Sequence, residues 1–112
     1  VEFLILLYGD EAGEEALPKE ELRAITQRHH EYGALLRADG KLVYGTGLRG
    51  TDSATTMRRG NGQITDGPYA DTKEQIGGFY LVDCADLDEA MDIAKKVPDS
   101  PGLTLEIRPT GG

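Results

Sequence analysis

"EFLILLY", residues 2–8, decides the fold. The run is apolar, strand-length and bounded by Gly9-Asp10, the mark of a β-strand. Side chains alternate across a strand, so Phe3, Ile5 and Leu7 take one face and Leu4, Leu6 and Tyr8 the other. Both faces are apolar, and both call for cover. "GFYLVDC", residues 78–84, repeats the pattern, with Phe79 and Leu81 set against Tyr80 and Val82. Two such strands belong in the middle of a sheet.

The intervening chain supplies the rest. "GDEAGEEA" (9–16) reads as a polar loop. Pro18 then suits the first turn of a helix, with Lys19, Glu20 and Glu21 behind it. Leu22, Ile25, His29, Tyr32 and Leu36 recur at spacings of three and four, which is one helical stripe, and Asp39-Gly40 ends it. "KLVYGTGL" (41–48) is a second strand. "SATTMRR" and "QIT" flank Gly60-Asn61-Gly62 and predict a hairpin. After the 78–84 strand, Asp86 and Glu89 have capping-box spacing. Leu87, Ala90, Met91, Ala94 and Val97 are the expected buried stripe of this second helix, which Lys95, Lys96 and Pro98 terminate. "LTLEIRP" (103–109) closes the chain as an alternating strand. The order β-α-β-hairpin-β-α-β over residues 1–112 predicts a single α+β domain with the ferredoxin-like split βαβ arrangement. Helices in that arrangement cover one face of the sheet. The second apolar face then needs a partner, and a second copy packed sheet to sheet is the economical one, so a homodimer is expected.

Composition narrows the function. The 112 residues carry a formal net charge of −8, from 12 basic and 20 acidic side chains. A field of that sign repels phosphate backbones, which argues against direct nucleic-acid binding. No apolar run is long enough to span a membrane, and the 3–8 stretch lacks the flanks of a signal peptide. The one cysteine, Cys84, precludes an internal disulfide and fits a reducing, cytoplasmic location. Gly45-Thr46-Gly47-Leu48-Arg49-Gly50 spells G-x-G-x-x-G after a strand. The β-branched "TDSATTM" that follows is not the helix a dinucleotide site requires. No motif calls for a cofactor.

Two candidates for chemistry stand out. Adjacent residues on a helix point about 100° apart, so His29 and His30 cannot face one metal, and no metal site is expected. His29 alone interrupts an apolar stripe, as a core histidine or as an acid–base or ligand-binding group, and is expected to be largely buried; His30 is expected to be exposed. The second candidate is the connection from Asp66 to Gly78, 13 residues by this reading and long for a hairpin. Asp66 is suited to cap nearby backbone N–H groups and hold Gly67 extended, so that Pro68, its φ fixed, and Tyr69 pack inward. Lys73 and Glu74 are expected at the mouth of a cleft between sheet and helix, paired with each other or orienting a polar ligand. Stability hardly explains charges there, since an exposed ion pair contributes only about 0–1 kcal/mol.

"TDGPYADTKEQIGGFYLVDCADLDEAMDIA" (65–94) resembles the DGPF subgroup of the YCII-related domain family, whose pattern runs Asp-Gly-Pro-Phe-Ala-Glu-Thr-Lys-Glu. Tyr69 stands for the Phe and Asp71 for the Glu. "EFLILLYGDE", "LVYGTGL" and "ATTMR" are similar to the same bacterial-type subgroup. The resemblance implies a ferredoxin-like domain forming a dimeric α+β barrel, and association with extracytoplasmic-function sigma factors. The broader family carries a His–Asp pair proposed as an active site. His29 matches its His by standing eleven residues before Gly40, whereas the Asp position, before Pro98, is Val97. Three functions follow as expectations: a dimer that binds a small organic ligand or regulates transcription initiation; an enzyme with His29 as general acid/base and Asp66, Tyr69, Lys73 and Glu74 positioning the substrate; or a structural interaction module.

Overall fold

In the computed structural model, which describes residues 1–111, the chain forms β1 (Glu2–Asp10), α1 (Glu11–Glu15), α2 (Lys19–Ala38), β2 (Leu42–Gly47), β3 (Thr55–Arg58), β4 (Gln63–Asp66), β5 (Glu74–Asp83), α3 (Leu87–Lys95) and β6 (Thr104–Pro109). Four strands make one antiparallel sheet in the order β2-β5-β1-β6; β3 and β4 pair only with each other. The result is an α+β fold consistent with the ferredoxin-like arrangement.

The two central strands are the ones with two apolar faces. Phe3, Ile5 and Leu7 of β1 and Tyr80 and Val82 of β5 are buried beneath the helices with Ile25, Leu36, Ala90, Ile93, Ala94 and Val97. On the other face Leu4, Leu6, Phe79 and Leu81 are only half-buried, and no helix among the described residues lies over them. The molecule is accordingly thin, 43 × 38 × 18 Å along its principal axes.

Three local expectations are corrected. The 9–16 stretch is not all loop: Asp10 caps α1, its carboxylate accepting from the Gly13 N–H at 3.1 Å. In α3 the buried face runs through Ala90, Ile93, Ala94 and, just beyond the helix, Val97, an i, i+3, i+4, i+7 set. Leu87 and Met91 lie to one side of that set and stay 49 % and 39 % exposed. The connection after the hairpin is shorter than its composition suggests. Polar Glu74 and Gln75 already pair with Asp10 and Gly9, so β5 begins at Glu74 and only residues 67–73 are loop. The expected cap of α3 is present: Asp86 accepts from the Glu89 N–H at 3.0 Å. The Glu89 carboxylate accepts from the Ala85 N–H at 2.9 Å and from Lys41 at 3.1 Å.

Gly77-Gly78 has two separate causes. Leu7 pairs with Gly78 and Tyr8 with Ile76, so Gly77 is the extra residue of a β-bulge. Its carbonyl accepts from the Leu48 N–H at 2.8 Å, off the end of β2. The bulge re-phases β5, placing Ile76 on the same face as Phe79. Gly78 faces Gly47, and a Cβ there would sit 2.8 Å from the Thr46 carbonyl oxygen. A Cβ on Gly77 would meet nothing within 4 Å.

Gly78→Ala is therefore expected to lower unfolding stability by about 1–3 kcal/mol in urea titrations, because backbone must move to admit the methyl. Gly77→Ala is expected to change it by less than about 1 kcal/mol in either direction. Equal losses at the two positions would contradict the assignment.

Candidate functional site

The bulge opens a cleft. With only hydrogen at Gly45, Gly47, Gly77 and Gly78, the β2–β5 edge cannot fill the space under α2, where Gly33 also lacks a side chain. The cleft measures about 520 Å³, within the usual range for small-molecule sites. His29, His30 and Arg37 of α2 bring polar side chains to it, whereas Thr46 of β2, paired with Phe79, lines it with backbone. A second hollow of about 310 Å³ adjoins it and shares Leu7, Glu14, His29, Leu48 and Gly77.

His29 stands at the junction of the two hollows, half-buried, while His30 is exposed. The sequence predicts a largely buried His29, but it is only half-buried, because the glycines leave its ring open on the cleft side. Its Nδ1 lies 2.6 Å from the Tyr80 hydroxyl, and the rings stack at 6.0 Å. Tyr80 in turn meets the edge of Tyr32, whose hydroxyl donates to the Ile93 carbonyl of α3 at 2.6 Å. Strand, α2 and α3 are thus joined through three rings.

The direction of the His29–Tyr80 bond follows from protonation. Burial, with Tyr32 beside it, pushes the Tyr80 phenol up to about 12, so it keeps its proton. Burial also lowers His29 from its ordinary 6.5, and the neighbouring Arg28 and His30 add to this, so the ring is neutral at pH 7. A buried phenol needs an acceptor, and His29 Nδ1 is the acceptor within reach. Tyr80 therefore donates to Nδ1, which leaves the imidazole proton on Nε2. No group among the described residues bonds Nε2, and no buried side-chain nitrogen or oxygen there lacks a partner. Nε2–H is thus a solvent-accessible donor beside the cleft.

The charges around this donor differ between the two hollows. Arg37, in the last turn of α2, forms no ion pair among the described residues. Glu14 reaches both hollows, and its carboxyl is raised above the ordinary value by burial and then by Glu11. Among the described residues no group of three His, Cys, Asp or Glu side chains could hold a metal ion. Cys84 is buried with its thiol pushed up by burial, far from a reactive thiolate.

The loop candidates lie elsewhere. Asp66, Tyr69, Lys73 and Glu74 line neither hollow. Asp66 is the last residue of β4, opposite Thr55, and the neighbouring Gly67 amide donates not to its carboxylate but to the Ala54 carbonyl at 2.7 Å. Gly67 takes φ +107°, open only to glycine at low cost, and is not held extended. Tyr69 is 75 % exposed, under the Arg58 guanidinium at 5.3 Å. Lys73 reaches Asp10 at 3.8 Å rather than Glu74, which is spent on the β1–β5 ladder. Sequence reasoning placed His29 but missed Tyr80 and Arg37. The available signal was Tyr80 on an apolar strand and His29 on an apolar helix stripe: two polar tips on faces that must meet.

The His29 shift has a sign. A folded-state pKa below the unfolded value means that the unfolded chain binds the proton first, so stability rises with pH between those two values. As pH falls below 6.5 the His29 contribution is expected to be lost progressively, levelling off below its folded-state pKa. Urea titrations across this range should show a steeper decline for the parent than for His29→Gln. Parallel curves would contradict the burial of a neutral ring.

Among relatives, an uncharacterised protein of Rhizobium meliloti (strain 1021) is 38 % identical over an alignment of 118 residues, covering 96 % of this chain and 90 % of the relative. The YCII-related domain profile matches residues 1–108. With the α+β fold and a match over nearly its whole length, the chain belongs to the YCII-related domain family.

Proposed function

We propose that the chain is a ligand-binding homodimer, the cleft beside His29 taking a small organic molecule that carries an acceptor oxygen. The observation that carries this reading is the hydrogen bond from Tyr80 to His29 Nδ1. It fixes the ring and presents Nε2–H as a donor beside a cleft of suitable size. Arg37 adds a cation for a carboxylate or phenolate group. The uncovered face, with Leu4, Leu6, Phe79 and Leu81, supports packing against a second copy as a dimeric α+β barrel, since apolar burial contributes about 25 cal/mol per Å².

The same bond places acid–base catalysis second. A histidine made basic at Nε2 usually donates its Nδ1–H to a carboxylate. Here Nδ1 accepts from a phenol, and the position where the family's Asp would stand is Val97. In this state His29 is a donor and not a base. Removing a proton from substrate would first require the imidazole to change tautomer and the phenol to find another acceptor.

Thermal-shift screening with small carboxylates and carbonyl compounds tests the reading. Ligands are expected to raise the melting temperature of the parent, as any molecule that binds only the folded state does. The shift is expected to vanish in His29→Ala and, for carboxylates, to shrink in Arg37→Ala. Shifts of equal size in the parent and His29→Ala would place the ligand elsewhere. Product formation on mixing would favour the catalytic reading.

A further inference from the structure

The β3–β4 hairpin is an arm. Its strands pair only with each other, all of β4 is exposed, and of β3 only Thr56 is partly covered. Met57 and Ile64 pair across the ladder, each 61 % exposed. A two-stranded hairpin alone is marginal in water, yet this one is anchored firmly at its base. Glu11 accepts from the Thr51 N–H at 3.0 Å and from its hydroxyl, Gly67 donates to Ala54, and Thr56 donates to the Gly67 carbonyl at 2.8 Å. Lys73 ties the far side to Asp10. The radius of gyration is 15.3 Å, against about 13 Å for a compact chain of roughly this length.

The arm also differs in charge from the body. Arg58 and Arg59 are at its tip, neither paired with a carboxylate among the described residues, and Asp66 is its one acidic residue. The chain as a whole stands at −8. An arm that is positive and apolar at its exposed pair complements the surface of another copy of this acidic chain.

We infer that the β3–β4 arm grips a second copy, Met57 and Ile64 burying against it and Arg58 and Arg59 meeting its carboxylates. The inference rests on the proposed homodimer and adds a contact that the sheet face alone does not supply. Met57 and Ile64 are exposed and Arg58 touches only the exposed Tyr69 ring of the adjoining loop, so substitutions at these positions leave the body of the fold intact.

Sedimentation equilibrium of the parent, Met57→Ser/Ile64→Ser and Arg58→Glu/Arg59→Glu tests it, with circular dichroism and melting temperature as fold controls. The parent is expected to dimerise at micromolar concentration, and each double variant to dimerise at least about tenfold more weakly. The charge variant's deficit is expected to shrink at about 1 M salt, where the Debye length is about 3 Å. As a second readout, a photo-crosslinking side chain in place of Ile64 is expected to give covalent dimers. Variants that dimerise as tightly as the parent, without cross-linked dimers, would overturn the arm while leaving the sheet-face dimer standing. A monomeric parent would overturn both.

Discussion

The extra residue that β5 carries at Gly77 constrains everything around the cleft. Without the bulge, the pairing from Leu7 to Tyr8 would continue in step, and Ile76 would sit on the helix-facing side with Gly78 and Tyr80. An isoleucine side chain there would enter the space under α2. The bulge sends Ile76 to the open face and leaves glycine at the cleft, while Gly78 lets β2 come close enough for Gly47 and the Thr46 backbone to line it. Backbone geometry makes the hollow before any polar side chain is considered.

Tyr80 then determines what the hollow can do. Two residues beyond Gly78, it projects from the strand toward α2, where His29 is the one polar-tipped residue on the stripe with a ring nitrogen in reach. The phenol keeps its proton and the imidazole stays uncharged, for the same reason: burial penalises the charged form of each. One hydrogen bond therefore settles the tautomer, and the tautomer determines which atom faces a ligand. Tyr32 extends the constraint to α3 through Ile93, so the position of His29 is set by all three layers of contact and not by α2 alone.

Much of the fold was legible because burial leaves a pattern. The double-sided alternation in 2–8 and 78–84 identified the central strands, and the stripe through Ile25 and Leu36 identified α2. The hairpin was readable from Gly60-Asn61-Gly62. What failed was local. Glu74 and Gln75 look like loop because their side chains are polar, but strand pairing uses their backbone. Leu87 and Met91 look like core by hydropathy, yet Ile93 has the better angular position in α3. The site was half legible. His29 stood out against its stripe, whereas Tyr80 passes for an ordinary strand residue until the helix above it is placed. The conspicuous motif at Asp66–Glu74 shapes the base of the arm and the start of β5, and its distinctive residues serve backbone geometry more than the cleft.

Central to this account is a neutral His29 whose Nδ1 accepts from Tyr80 and whose Nε2 carries the proton. Long-range ¹H–¹⁵N correlation spectra of the imidazole rings read this directly, with His29→Gln assigning the signals. At neutral pH the His29 pattern should be that of the Nε2–H tautomer, with Nδ1 unprotonated, and in Tyr80→Phe that single tautomer should give way to a mixture. A parent spectrum showing Nδ1–H, or an imidazolium at neutral pH, would contradict the account.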